Sequence, residues 1–287
     1  MAPAASLRLS ALRMFGVGAL VLVAFLALAQ LLFTAGTVVA VAPSLIALVV
    51  GAASAFGVIY IFEIRERRRL RGILARFVPE DVAARAVAST AADLRAGGER
   101  LEATVMFADL RGFTRFAEGQ SATVVSEALN RYLSGMADAI RGEGGTVVSY
   151  MGDGIMAVFG APTARLDHVE RAVAAAREMT GRRLGRFNEW LEQGGLGDPF
   201  RMGVGLSTGE VLSGNVGSVD RVEYTAVGDT TNVAARLEAM TKTTGHSILM
   251  TEATVDQLPE ADDLSPVRVG EMDLPGRTGR CTVWTLA

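Results

Sequence analysis

The sequence of 287 residues holds a single cysteine, Cys281, so no intrachain disulfide can form and no thiolate metal cluster exists. It holds two histidines, His168 and His246, far apart along the chain, which argues against an imidazole metal site. A catalytic metal would have to rest on carboxylates, which selects magnesium or manganese. Residues 14–62 carry no Asp, Glu, Lys or Arg at all. Net charge is only −3, with no basic excess to mark a nucleic-acid surface. Aromatic residues make up 6% of the chain, yet half of it is hydrophobic and the mean hydropathy is +0.31.

The uncharged run is long enough for two spans of about 20 residues each. They are expected near Met14–Phe33 and Val38–Ile61, with Thr34-Ala35-Gly36-Thr37 and Pro43 at the turn. Arg8 and Arg13 precede the first span, and Arg65, Arg67, Arg68, Arg69 and Arg71 follow the second. Basic flanks at both ends predict a hairpin with cytoplasmic termini in a lipid bilayer, here a multi-pass protein of the inner membrane. A signal peptide followed by one span is the rival reading. The expected division is a hairpin over 1–62, linker helices over 63–98 and a catalytic domain over 99–287. The linker reads either as a solvated connector or as a parallel dimer stalk.

Beyond residue 98 the pattern changes. Leu101–Ala108 reads as a strand that delivers Asp109 to its C-terminal end, and Gly112 then turns the chain into a helix. A carboxylate beside a helix N-terminus suits a hard cation and phosphate oxygens. A second acid, Asp153, sits between two short β-rich runs, Thr146–Met151 and Ile155–Phe159, in what reads as an Asp-Gly hairpin turn. Ser121–Arg141 and Leu166–Leu191 read as helices, Phe200–Ser207 and Val211–Val216 as a strand pair around Thr208-Gly209-Glu210. A strand over Arg221–Val227 and a helix over Asp229–Thr241 follow. The order β-α-β-β-α-β predicts an α+β, ferredoxin-like core with extra C-terminal strands. That topology would bring Asp109 and Asp153 together.

Three motifs in order, FADLRGFT, YMGDGIMAVFGAP and EYTAVGDTTNVAARLE, resemble the class III adenylate/guanylate cyclase catalytic domain over about Glu99 to Ala287. The linker segment RFVPEDVAARAV is similar to the short helix that often precedes such domains. The resemblance implies a membrane-anchored cyclase that converts ATP to 3′,5′-cyclic AMP and pyrophosphate with two Mg2+ or Mn2+ per site. Asp109 and Asp153 match the metal-binding aspartates, with the Leu110 carbonyl as a further ligand. Gly112, Phe113 and Thr114 match the turn that cradles the triphosphate. Asn232 and Arg236 match the catalytic pair of NVAAR. In the family this pair comes from the opposite subunit to the aspartates, which implies a homodimer with shared sites.

Departures from the family pattern fall at the base pocket and the C-terminus. Ser149 stands where adenylate cyclases often have Lys, and Thr225 is the second base-reading residue. The hydroxyl of Thr225 can accept from adenine's amine while Ser149 donates to a ring nitrogen, and neither supplies the carboxylate that guanine would favour. Leu274-Pro275-Gly276-Arg277 replaces a Leu-Lys-Gly-Lys segment, leaving Arg277 or Arg280 to meet the triphosphate. A guanylate cyclase and a degenerate nucleotide-binding regulatory module are the alternatives.

Overall fold

The organising strand is β1 (Glu99–Arg111), whose middle, Ala103–Met106, is buried on both faces. Side chains alternate across it, as a strand requires. Met106, Ala108 and Leu110 join the larger core cluster, while Ala103 and Val105 join a second cluster on the other face. The computed structural model describes residues 98–217, 222–259, 265–274 and 279–286, together with scattered positions between 23 and 65.

A first helix, α1 (Phe113–Gly119), follows β1 directly. Ser121 then caps α2 (Ala122–Gly142) by accepting the Val124 N–H at 3.4 Å. Strands β2 (Thr146–Met151) and β3 (Gly154–Phe159) form a hairpin, and β3 runs antiparallel to β1. After α3 (His168–Glu178) comes a π-helical turn, Met179–Arg183, and then α4 (Leu184–Gln193), where the sequence suggested one helix. The remaining elements are β4 (Arg201–Gly217), β5 (Val222–Val227), α5 (Asp229–Thr244), β6 (Ile248–Thr251), α6 (Glu252–Val255), β7 (Pro266–Asp273) and β8 (Arg280–Leu286). The sheet order is β2-β3-β1-β4-β6-β8-β7, with β5 on β4. Its β2-β3-β1-β4 part, crossed by α2 and α3–α4, is the expected βαββαβ core.

Two local expectations are corrected. The strand pair around Thr208-Gly209-Glu210 is one continuous strand, β4. That triplet stays in register with Glu102, Ala103 and Thr104 of β1, and the Thr104 and Thr208 hydroxyls bond at 2.9 Å, so no turn opens there. The β2–β3 loop is Gly152-Asp153 rather than Asp153-Gly154: Met151 pairs with Gly154, and the positive φ of 68° falls on Gly152, the residue best able to adopt it.

Helix α5 lies unusually close to β4. A Cβ on Gly205 would sit 2.2 Å from the Ala234 carbonyl oxygen, and one on Gly203 would meet both Thr241 and Glu238. Glycine at these positions lets the C-terminal half of α5 settle beside the end of β1.

The chain divides into two units, Met1–Leu74 and Ala75–Ala287. In the first unit, the membrane-spanning hairpin and the multi-pass localisation expected from it are corrected. Among the described residues no helix is long and apolar enough to cross a membrane. A span needs about 20 consecutive apolar helical residues. Residues 34–36 form a helix end, with the Thr34 hydroxyl on the Leu31 carbonyl at 2.8 Å. Nearly all of the expected linker, 63–98, lies outside the described residues, as does Arg277.

Candidate active site

Asp109 and Asp153 meet where β1 ends beside the β2–β3 loop. The register sets Ala108 against Ile155, so the loop residue falls next to Asp109. The two carboxyl groups share a hydrogen bond, and Asp153 also accepts the backbone N–H of Leu110 and its own. Burial first, and the charge of Asp109 second, push Asp153 up to about 6. Leu110 thus touches the acid pair through its N–H, while its side chain is core.

Further groups close in from α5 and α2. The Lys242 ammonium lies 3.3 Å from Oδ2 of Asp109. Glu238 is held above the usual carboxylate range by burial and by Asp109, and its Oε1 is buried without a hydrogen-bond partner. The Tyr132 hydroxyl is likewise buried and unpartnered; burial and then the charges of Asp109, Asp153 and Glu238 push it upward. Arg111 donates through Nη2 to the carbonyls of Thr241 (2.7 Å) and His246 (3.0 Å), which ties the end of β1 to the end of α5.

Gly112, with φ of 90°, turns the chain from β1 into α1 and offers no side-chain cap. The first-turn N–H groups are therefore open to an anion. The Phe113 ring is buried against Phe116 and Phe200, at 5.8 and 6.1 Å between centroids, so only its backbone can face a ligand. Thr114 is exposed.

The remaining expected residues form separate groups. Ser149 is on β2 and Thr225 on β5. Val148 and Ala226, their sequence neighbours, pack into one apolar cluster, which draws these two strands together. Asn232 is exposed and Arg236 half-buried on the N-terminal half of α5. Ten residues separate Asn232 from Lys242, about 15 Å of helix axis. Arg236 is nearer, six residues or about 9 Å of axis from Lys242. Arg280 is engaged by Glu271 and Asp273, at 3.8 and 3.6 Å.

A family model for the adenylate and guanylate cyclase catalytic domain matches residues 99–287. The chain belongs to this family. Adenylate cyclase 1 of Rhizobium meliloti is 35% identical over 193 residues, which are 67% of this chain and 29% of that protein. The chain thus matches only about a third of the length of its curated relatives. Among solved structures, the guanylyl cyclase Cya2 shares 35% identity at a TM-score of 0.58, covering 67% of this chain and 94% of that one. The adenylyl cyclase CyaB from P. aeruginosa shares 27% identity at a TM-score of 0.61, covering 66% and 95%.

The cyclase domain's donor set suits a hard divalent cation. It consists of carboxylate oxygens, two of them close enough to repel when both are ionised. Among the described residues no cluster of three or more His, Cys, Asp or Glu is arranged to hold a metal, so substrate oxygens and water would have to complete the coordination. Sequence reasoning missed Lys242, Glu238, Tyr132 and Arg111. Tyr132 had a signal: it falls on the helical stripe Ala128-Tyr132-Met136-Ile140. Lys242 had none, because it reaches Asp109 across 133 residues of chain.

Proposed function

We propose that this cyclase converts ATP to 3′,5′-cyclic AMP and pyrophosphate in a homodimer with two shared sites. The hydrogen-bonded pair Asp109–Asp153, beside an uncapped helix N-terminus, carries the reading. Divalent cations bound there would neutralise the triphosphate and favour in-line attack of the ribose 3′-oxygen on the α-phosphorus. Asp109 and Asp153 would hold them, and the N–H groups of the Gly112–Thr114 turn would bind phosphate oxygens. Asn232 orients the ribose, and Arg236 supplies a fork of donors to charge developing at the α-phosphate. The distance of about 15 Å along α5 from Asn232 to Lys242 supports Asn232 acting on the partner's substrate. Exposed Tyr150 and Met151 on β2, with Leu212, Val216 and Val227 on β4 and β5, offer an apolar face for that partner. Thr225 and Ser149 read the adenine edge.

Guanylate cyclase activity is the second reading, favoured by the 35% identity to a solved guanylyl cyclase. Product formation by the full chain from ATP and from GTP, in Mg2+ and in Mn2+, separates the two. Cyclic AMP that disappears in Asp109→Ala supports the proposal; cyclic GMP alone reassigns the base. Mixing inactive Asp109→Ala with inactive Arg236→Ala tests the shared site. Regained activity supports two subunits per site, and none argues against it.

A further inference from the structure

Lys242 holds an oxygen that a divalent cation would need. Its ammonium is 3.3 Å from Oδ2 of Asp109, and Asp109 is its one ion-pair partner among the described residues. A dication and an ammonium at contact distance from the same oxygen repel each other, so the two compete. The lysine side chain is 51% exposed, and that of Asp109 only 27%. Lys242 therefore has solvent-filled space to turn into, whereas the carboxylate is fixed at the strand end. One turn back, Glu238 faces the same cluster, and Arg111 is tied to backbone carbonyls by Nη2.

A bound triphosphate is polyanionic and attracts cations to its end of the site. Pro275 cannot serve, Arg277 lies outside the described residues, and Arg280 is engaged by Glu271 and Asp273. Lys242 reaches the strand end from which Gly112–Thr114 present their N–H groups. A lysine is a mobile point charge on a four-carbon stem, suited to changing partners, where an arginine fork would clasp the carboxylate.

We propose that Lys242 is a displaceable counter-ion, which neutralises Asp109 until a divalent cation takes that oxygen and then turns to the terminal phosphates of the bound nucleoside triphosphate. The proposal rests on the cyclase reading of Asp109 and adds a role for a residue outside its motifs.

The test uses the full chain and two binding measurements that need no turnover. Free Mn2+ is counted by electron paramagnetic resonance, with Mn2+ alone as ligand. Inorganic tripolyphosphate is then titrated calorimetrically into the Mn2+-saturated protein. Lys242→Met should bind Mn2+ about 2- to 5-fold more tightly, the range expected for losing an exposed ion pair. It should bind tripolyphosphate about 10-fold more weakly, as expected for losing a charge-assisted hydrogen bond. Lys242→Arg should bind Mn2+ more weakly than the unaltered chain. Lys242→Gln repeats the test should the methionine variant unfold. Unchanged Mn2+ affinity overturns the counter-ion role, and unchanged tripolyphosphate affinity overturns the exchange. Failure of the cyclase reading shows separately, as no cyclic nucleotide from the unaltered chain.

Discussion

Two polar clusters sit on opposite faces of β1, and they are built on contrary principles. On one face Thr104 bonds His168 Nδ1 at 2.9 Å and Thr208 at 2.9 Å; Thr254 continues the chain to Thr208 at 3.0 Å and to Thr251 at 2.9 Å. A direction running from Thr251 to His168 lets every hydroxyl donate once and ends on Nδ1 as acceptor, the neutral imidazole. On the other face Asp109, Asp153 and Glu238 repel one another, and Oε1 of Glu238 is buried without a partner. Buried polar groups in proteins are nearly always satisfied. A satisfied cluster binds β1 to β4, β6, α3 and α6. An unsatisfied one stores repulsion that a cation can relieve.

The sharpest way to break the comparison is to remove one member of each cluster and read both activity and stability. Asp109→Ala should lower cyclic-nucleotide production at least about 100-fold, since metal-held charge supplies several kcal/mol of transition-state stabilisation. Its urea midpoint should change little, because the ion pair lost with Lys242 is offset by the repulsion relieved at Asp153 and Glu238. Thr208→Val should do the reverse. It strips a shared partner from Thr104 and Thr254, both fully buried, and should cost about 1–3 kcal/mol of unfolding free energy. Turnover per folded molecule should survive. An Asp109→Ala protein that unfolds, or a Thr208→Val protein as stable as its parent, would dissolve the distinction.

The contrast also explains what could be read from the sequence. Asp109, Asp153, the glycine turn and the Asn232–Arg236 pair are written locally, as residues at strand and helix ends with fixed spacing. The βαββαβ order followed from alternating apolar periods. The rest depends on distant partners. Thr208-Gly209-Glu210 reads as a turn until Thr104 is seen across the ladder. Thr251 and Thr254 read as ordinary threonines at a helix start, and His168 as a lone histidine, until tertiary packing joins them. The uncharged run at 14–62 reads as two membrane spans, yet no helix among the described residues is long and apolar enough to cross a membrane.

Titration should separate the clusters by sign. Burial lowers His168 below its ordinary 6.5, so the folded state prefers the neutral ring. Its contribution is complete above 6.5 and is lost as pH falls, because the unfolded chain then binds the extra proton. Glu102 and Asp167 lie near enough to oppose that shift. Urea midpoints should therefore drop as pH falls below 6.5, and His168→Gln should flatten the slope. Asp153 acts in the opposite sense. Its raised value means that the folded state binds the proton more tightly, so its effect is felt as stability lost while pH rises from about 3.8 to about 6.

That last term yields the smallest expected change and the finest test of stored repulsion. At pH 7.5 Asp153 is ionised beside Asp109 at a cost. A shift from 3.8 to about 6, discounted because the group is half in solvent, corresponds to about 1 kcal/mol. Asp153→Asn keeps an acceptor for the Leu110 N–H and gains an amide donor toward Asp109, so it mimics the protonated acid. It should abolish activity and yet raise the unfolding free energy by about 1 kcal/mol in metal-free buffer. Adding Mn2+ should then reverse the order, since a cation that binds only the intact pair stabilises only the unaltered protein. Equal stabilisation of both by Mn2+ would place the cation elsewhere. A less stable Asp153→Asn protein would show that the acid pair is held together by its hydrogen bonds more than it is driven apart by charge.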